Sequence, residues 1–195
     1  DHGGPGCLWE QDFFQQERES LSPNLRILLE RKPIELDGAT ILPCPLLRQH
    51  ESIDPTAWVR DLDFPSLDPE KPRILLAHGS VHGFESSCGD EEDGAGAATN
   101  FLALDRLPRS ELDFLALGDW HGTKEIDASA WDSGTPEIDR FPKGANNDPG
   151  HILLVEVERS KPPSVNPVTT GQLGWHVVSF DFADDEDLHR LEEEL

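Results

Sequence analysis

Leu8, Trp9, Phe13 and Phe14 recur at helical spacing and predict a helix over residues 7–17. Ser22-Pro23 offers an N-cap followed by proline at the first helical position, which predicts a second helix over 24–31 that Pro33 ends. Residues 33–36 and 39–42 flank Asp37-Gly38, a two-residue turn signal, and read as a β-hairpin. A short helix is expected from Asp54-Pro55 to residue 61, and a Pro-bearing loop over 63–71. The runs 73–77 and 112–117 are almost wholly apolar, the pattern of strands buried on both faces. Further strands are expected within 131–141, 152–157 and 175–182, separated by segments rich in Pro, Gly and Asn. Residues 184–195 place Leu188, Leu191 and Leu195 on one face of a helix behind an acidic first turn. Helices and many strands together predict a mixed α/β (α+β) chain.

Composition narrows the function. The 195 residues fit one domain, and 36% hydrophobic residues suffice for a core. The longest apolar runs are strand-sized, far below the roughly 18 residues of a membrane span. With 16 Lys+Arg against 39 Asp+Glu the net charge is −23, which argues against a broad basic surface for nucleic acid. Any work on a phosphodiester would need cations to mediate it. Cys7, Cys44 and Cys88 are odd in number and form no CxxC pair, so they are neither a disulfide framework nor a zinc ribbon. A reducing, cytoplasmic setting is the expectation. Residues 85–98, with Gly89, Gly94 and Gly96 around Asp90, Glu91, Glu92 and Asp93, read as a solvated insertion. The chain opens on Asp1 and contains no Met, and is expected to be a piece of a longer polypeptide.

The chemistry concentrates where the two apolar runs stop. One ends in His78-Gly79 and the other in Gly118-Asp119-Trp120-His121-Gly122. In sheets covered by helices, ligands sit beyond the carboxyl ends of the strands. Asp119 and His121 are two apart, so in extended backbone both project to one face, with Trp120 turned away as a wall. Imidazole with carboxylate suits manganese, iron or zinc, and His78, Asp119 and His121 are therefore candidate metal ligands. His82 and His176 have no converging partner and read as surface residues. Asp113, at the start of the second run, reads as a control carboxylate whose removal should do little to metal occupancy and activity. Arg106, Arg109 and Arg140 read as scattered surface cations.

These residues carry a resemblance. Ala77-His78-Gly79 followed by Leu117-Gly118-Asp119-Trp120-His121-Gly122 resembles the last two signature blocks of the calcineurin-like metallophosphoesterase superfamily, an isolated His and then Gly-His-x-His. Asp1 resembles the end of the preceding Gly-Asn-His-Asp block. Pro5-Gly6-Cys7-Leu8-Trp9-Glu10, the segment Ala39-Thr40-Ile41-Leu42-Pro43-Cys44-Pro45, Trp131-Asp132-Ser133-Gly134-Thr135-Pro136-Glu137 and Thr170-Gly171-Gln172-Leu173-Gly174-Trp175-His176 resemble the branch of bacterial DNA-repair exonucleases. The resemblance implies a layered sandwich of two mixed sheets flanked by helices, and a metal-dependent phosphodiesterase or DNA exonuclease using two divalent cations, manganese by preference. Residues 1–182 would be the carboxyl-terminal part of that domain and 183–195 the start of an acidic helix. His78 and Asp119 would bind one metal and His121 the other, Asp119 standing where the family usually has His. On the resemblance, the family's opening Asp-x-His and Gly-Asp-x-x-Asp blocks and its general-acid His would lie upstream of Asp1, so the chain alone is expected to be inert. A partner ATPase is implied by the resemblance alone.

Two rival readings stand beside it. An α/β-hydrolase would need a Gly-x-Ser-x-Gly elbow, which the sequence lacks. A degenerate phosphoesterase would survive as a non-catalytic metal-binding or protein-interaction domain.

Overall fold

A computed structural model describes residues 6–48, 51–81, 100–141, 148–177, 179, 182–183 and 189–191. The first apolar cluster forms a 3₁₀ turn, Leu8–Glu10, and helix α1, Asp12–Leu21. The helix expected over 24–31 does not form. Ile27, Leu28 and Leu29 are consecutive apolar residues that all face one groove, which a helical stripe cannot arrange. Ser22 instead closes α1, donating its amide to the Arg18 carbonyl.

The hairpin around Asp37-Gly38 is present as β1, Ile34–Glu35, and β2, Thr40–Cys44. Strands β3, Arg73–His78, β4, Ser80–Val81, β5, Phe101–Leu102, β6, Phe114–Gly118, β7, Lys124–Asp127, and β8, Ala130–Asp132, follow. A six-stranded sheet has the order β1-β2-β3-β6-β8-β7, with β2, β3, β6 and β8 parallel and antiparallel strands at both edges. The chain is thus mixed α/β, with sheets of mixed strand orientation and few helices.

Register explains the core. Leu42 pairs with Leu75 and Leu75 with Leu115, while Cys44 pairs with Ala77 and Ala77 with Leu117, so alternate residues of three strands share one face. The crossovers that parallel strands require return over that face. They do so as 3₁₀ turns, Ala57–Asp61, Phe64–Ser66 and Leu104–Arg106, which bring in Val59, Phe64, Leu67, Leu104 and Leu107. Leu42, Leu75, Leu102 and Leu115 are fully buried, each contributing about 1.5–3 kcal/mol of transfer free energy. Burial of Cys44 pushes its thiol up to about 12, which leaves it inert.

The opposite face departs from the expectation of strands buried on both sides. Leu76 is 44% exposed, and it lines a groove of about 720 Å³ with Ala116, Trp131, Leu29 and Ile152. Ile152 belongs to a separate hairpin of β9, His151–Glu156, and β10, Ser164–Thr169. Strand β10 contains Pro167, which hid it from the sequence pattern; it pairs on one side only, where a proline is tolerated. Of the strand expected over 131–141 only Ala130–Asp132 forms, and the described residues of 175–182 are not in a strand. The acidic insertion 85–98 and most of the helix expected over 184–195 lie outside the described residues.

Candidate metal centre

Strands β3 and β6 are parallel neighbours in which His78 pairs with Gly118. The residues that end them therefore emerge side by side. A Cβ on Gly118 would lie 3.4 Å from His78 Nδ1, so the glycine leaves room for the imidazole. Beyond Gly118 the backbone turns sharply, with Asp119 at φ 140°, a conformation L-residues rarely adopt. That turn aims the Asp119 carboxylate back at β3, where Oδ1 lies 3.5 Å from His78 Nε2 and Oδ2 accepts from Ser80 Oγ at 2.8 Å.

The same turn separates Asp119 from His121, contrary to the expectation of a shared face. Strand geometry has already ended, so a two-residue spacing no longer fixes direction. His121 Nδ1 lies 3.0 Å from Asp139 Oδ2, out of line for a well-formed hydrogen bond, and its Nε2 lies 3.3 Å from Arg140 Nη2. Among the described residues no three His, Cys, Asp or Glu side chains gather at one point. The candidate ligands come instead as the pair His78–Asp119 and, apart from it, His121 with Asp139.

Asp132, at the end of β8, links the two. It is 6% exposed, accepts from Gly134 N at 3.0 Å and from Trp120 N at 3.2 Å, and so fixes the loop carrying both ligands. Burial pushes its carboxyl up to about 6, opposed by those two amides, and the charge of Asp119 raises it further while His121 lowers it. Trp120 is not a bare wall: Lys124 Nζ sits 4.9 Å from its ring centroid. Around the loop, His121 O accepts from Thr135 N at 2.9 Å, and Ser133 O from Thr123 Oγ1 at 2.9 Å.

Residues 136–141 form a strap beside His121. Its anchor is Glu137, whose carboxylate accepts from the amides of Ile138, Gln172 and Leu173. Trp175 Nε1 donates to Ile138 O at 2.8 Å, and the Phe141 and Trp175 rings pack tilted at 54° with centroids 5.0 Å apart. The amides of Leu173, Ile138 and Gln172 hold the Glu137 carboxyl below its ordinary range. With the folded-state value lowered, the stabilisation is complete above the ordinary glutamate range and is lost as pH falls through the lowered value. We expect the Trp175 fluorescence, isolated by difference from Trp175→Phe, to report opening of this strap on acidification. Glu137→Ala should give the opened signal at neutral pH; an unchanged spectrum would contradict the anchor.

Desolvation pushes the Asp139 carboxyl up, but His121 and Arg140 outweigh it and hold it below its ordinary range. Arg140 is therefore no scattered cation, whereas Arg109 ties Asp127 and Ser129 together at a distance from the site. Reading the sequence missed Ser80, Asp132, Asp139 and Arg140. Only Asp132 carried a signal, since it stands within the Trp131-Asp132-Ser133-Gly134 block, and no role was attached to it. No family model matches the chain, and no curated protein matches it significantly.

Proposed function

We propose that this chain supplies part of a two-cation phosphoesterase centre, acting as a phosphodiesterase or DNA exonuclease within a layered sandwich. The observation that carries it is the pairing of His78 with Asp119 at the ends of adjacent parallel strands, with Asp119 in a strained conformation. Ligand bonds of about 2.1 Å meeting at 90–110° place donor atoms roughly 3.0–3.4 Å apart, close to the 3.5 Å seen here. The donor set fits a divalent cation, with manganese favoured by the carboxylate. His78 and Asp119 would hold one ion and His121 another. When bound, two such cations would activate water and neutralise charge on the phosphoryl oxygens, which offsets the chain's excess of 39 Asp+Glu over 16 Lys+Arg. Asp132 keeps the ligand loop against β8. The β9–β10 hairpin across the groove from the central sheet supports the layered arrangement. A cytoplasmic setting and a partner ATPase belong to the same reading; no helix among the described residues is long and apolar enough to cross a membrane.

Calorimetric titration with Mn²⁺ tests it. We expect Asp119→Ala and His78→Ala each to weaken binding at least about 10-fold, while Glu70→Ala, an exposed carboxylate remote in sequence, leaves it unchanged. Asp119→His should retain the ion. In a protein that also carries the upstream blocks this reading implies, the first two substitutions should also abolish Mn²⁺-dependent cleavage of a chromogenic phosphodiester. Equal effects of Asp119→Ala and Glu70→Ala would make Asp119 an ordinary carboxylate. A non-catalytic metal-binding or interaction domain is the second reading, favoured by the arrangement of the described donors in pairs. Ion binding without cleavage in a protein that carries those upstream blocks would select it.

A further inference from the structure

We propose that Asp139 and Arg140 are positioning residues that select the tautomer of His121, holding the proton on Nδ1 and reserving the Nε2 lone pair for a cation. The inference rests on His121 being a metal ligand only in its last step. The first step is one of donor and acceptor inventory. A guanidinium has N–H donors and no acceptor. Arg140 Nη2 lies 3.3 Å from His121 Nε2, so in the neutral ring Nε2 must be the acceptor and Nδ1 must carry the hydrogen. On the other side of the ring, Asp139 Oδ2 lies 3.0 Å from Nδ1, out of line for a well-formed hydrogen bond but close enough for its negative charge to favour a proton there. Arg140 therefore chooses the tautomer by hydrogen bonding, and the charge of Asp139 favours the same one. Arg140 Nη2 also lies 3.0 Å from Asp139 Oδ2, so the two selectors hold each other.

The strap makes this choice durable. Asp139 and Arg140 are about one-third and one-half exposed, and exposed ion pairs contribute little to stability. Such a pair is poorly explained as a fold-stabilising device. Its position, by contrast, is fixed from both sides: Glu137 and Ile138 tie the strap to residues 172–175, and Thr135 ties the His121 carbonyl to the strap's start. A histidine that ligates a metal through one nitrogen usually gives its other N–H to a carboxylate or carbonyl, which fixes the ring and raises ligand basicity. Asp139 stands beside Nδ1 at 3.0 Å, within reach of that role after a small change in alignment. Arg140 stands where the cation would approach Nε2, a positive group filling the direction of the lone pair until an ion displaces it.

The test reads the ring directly. Long-range ¹H–¹⁵N correlation spectra of the metal-free full chain at pH 8, with His121 assigned by loss of its signals in His121→Gln, should show the Nδ1–H tautomer. In the Asp139→Ala/Arg140→Ala double variant the ring should shift towards a mixture with Nε2–H, while the other histidines keep their spectra. Mn²⁺ titration should then show about 10–100-fold weaker binding for Asp139→Ala at the ion that His121→Gln removes. An Nε2–H ring in the wild type, or an unchanged tautomer in the double variant, would overturn the proposal. Unchanged Mn²⁺ affinity in Asp139→Ala would overturn the role assigned to the tautomer. Should the wild type bind no Mn²⁺ at all, the ligand reading of His121 fails and the last step with it, while the spectra still decide whether the strap selects the tautomer.

Discussion

Asp113→Ala is expected to destabilise the fold by about 3–5 kcal/mol, the cost of removing one partner from a buried ionic network. This is a role in the fold, beside the expectation that removing Asp113 does little to metal occupancy and activity. Its side chain is 3% exposed and accepts from Arg73 N at 2.8 Å, from Ser160 N at 2.6 Å and from Arg159 Nη1 at 3.1 Å. Arg73 is itself buried, bonded to Glu111 and Phe64 O, with its guanidinium carbon 5.2 Å from the centre of the Phe64 ring. Truncation would leave the Arg159 guanidinium with Glu111 as its remaining counter-charge and the amides of Arg73 and Ser160 short of an acceptor. It would also release Ser160, held at φ 59°, and with it the turn between β9 and β10 from the starts of β3 and β6. Thermal unfolding should report a fall of roughly 10 °C. Glu70→Ala, at an exposed position, should stay within about 0.5 kcal/mol. A loss below about 1 kcal/mol at Asp113 would show that the network is dispensable.

Gly134→Ala is expected to cost at least about 3 kcal/mol and to disturb the candidate site with it. Gly134 lies at φ 67°, and a Cβ there would stand 2.6 Å from Thr123 N, 2.7 Å from the Gly122 carbonyl carbon and 2.7 Å from His121 O. All three are backbone atoms, so no side-chain rotation relieves the clash. Either the turn after Asp132 or the loop carrying Asp119 and His121 must move, and the two are tied by Asp132. Urea unfolding should therefore show lost stability together with weakened Mn²⁺ binding. Gly38→Ala provides the comparison, since nothing lies within 4 Å of its added Cβ, and should change stability by less than about 1 kcal/mol. Unaltered Mn²⁺ affinity in a destabilised Gly134→Ala would separate the turn from the site.

What the sequence determined by itself was mostly local. The Asp37-Gly38 hairpin, the apolar strands ending at His78 and Gly118, and the mixed α/β class follow from turn chemistry and from runs too apolar to remain in water. Candidate ligands at the two strand ends were legible for the same reason, because chemistry-bearing residues directly follow buried strands. Where a signal was local but ambiguous, packing decided. Ser22-Pro23 can begin a helix, yet three consecutive apolar residues at 27–29 face the groove; Pro167 argues against a central strand, yet β10 is an edge. The partners of the candidate site were beyond reach, since Asp132, Asp139 and Arg140 meet the Asp119–His121 loop only through long-range contacts. A carboxylate's burial likewise has no local signature: Asp113 and Glu111 are two residues apart, and only the sheet, the β9–β10 hairpin and Arg73 make one of them a fully buried hub. Periodicity reports which face a residue takes; only the assembled sheet sets which charges share a low-dielectric interior, and there unpaired groups become costly.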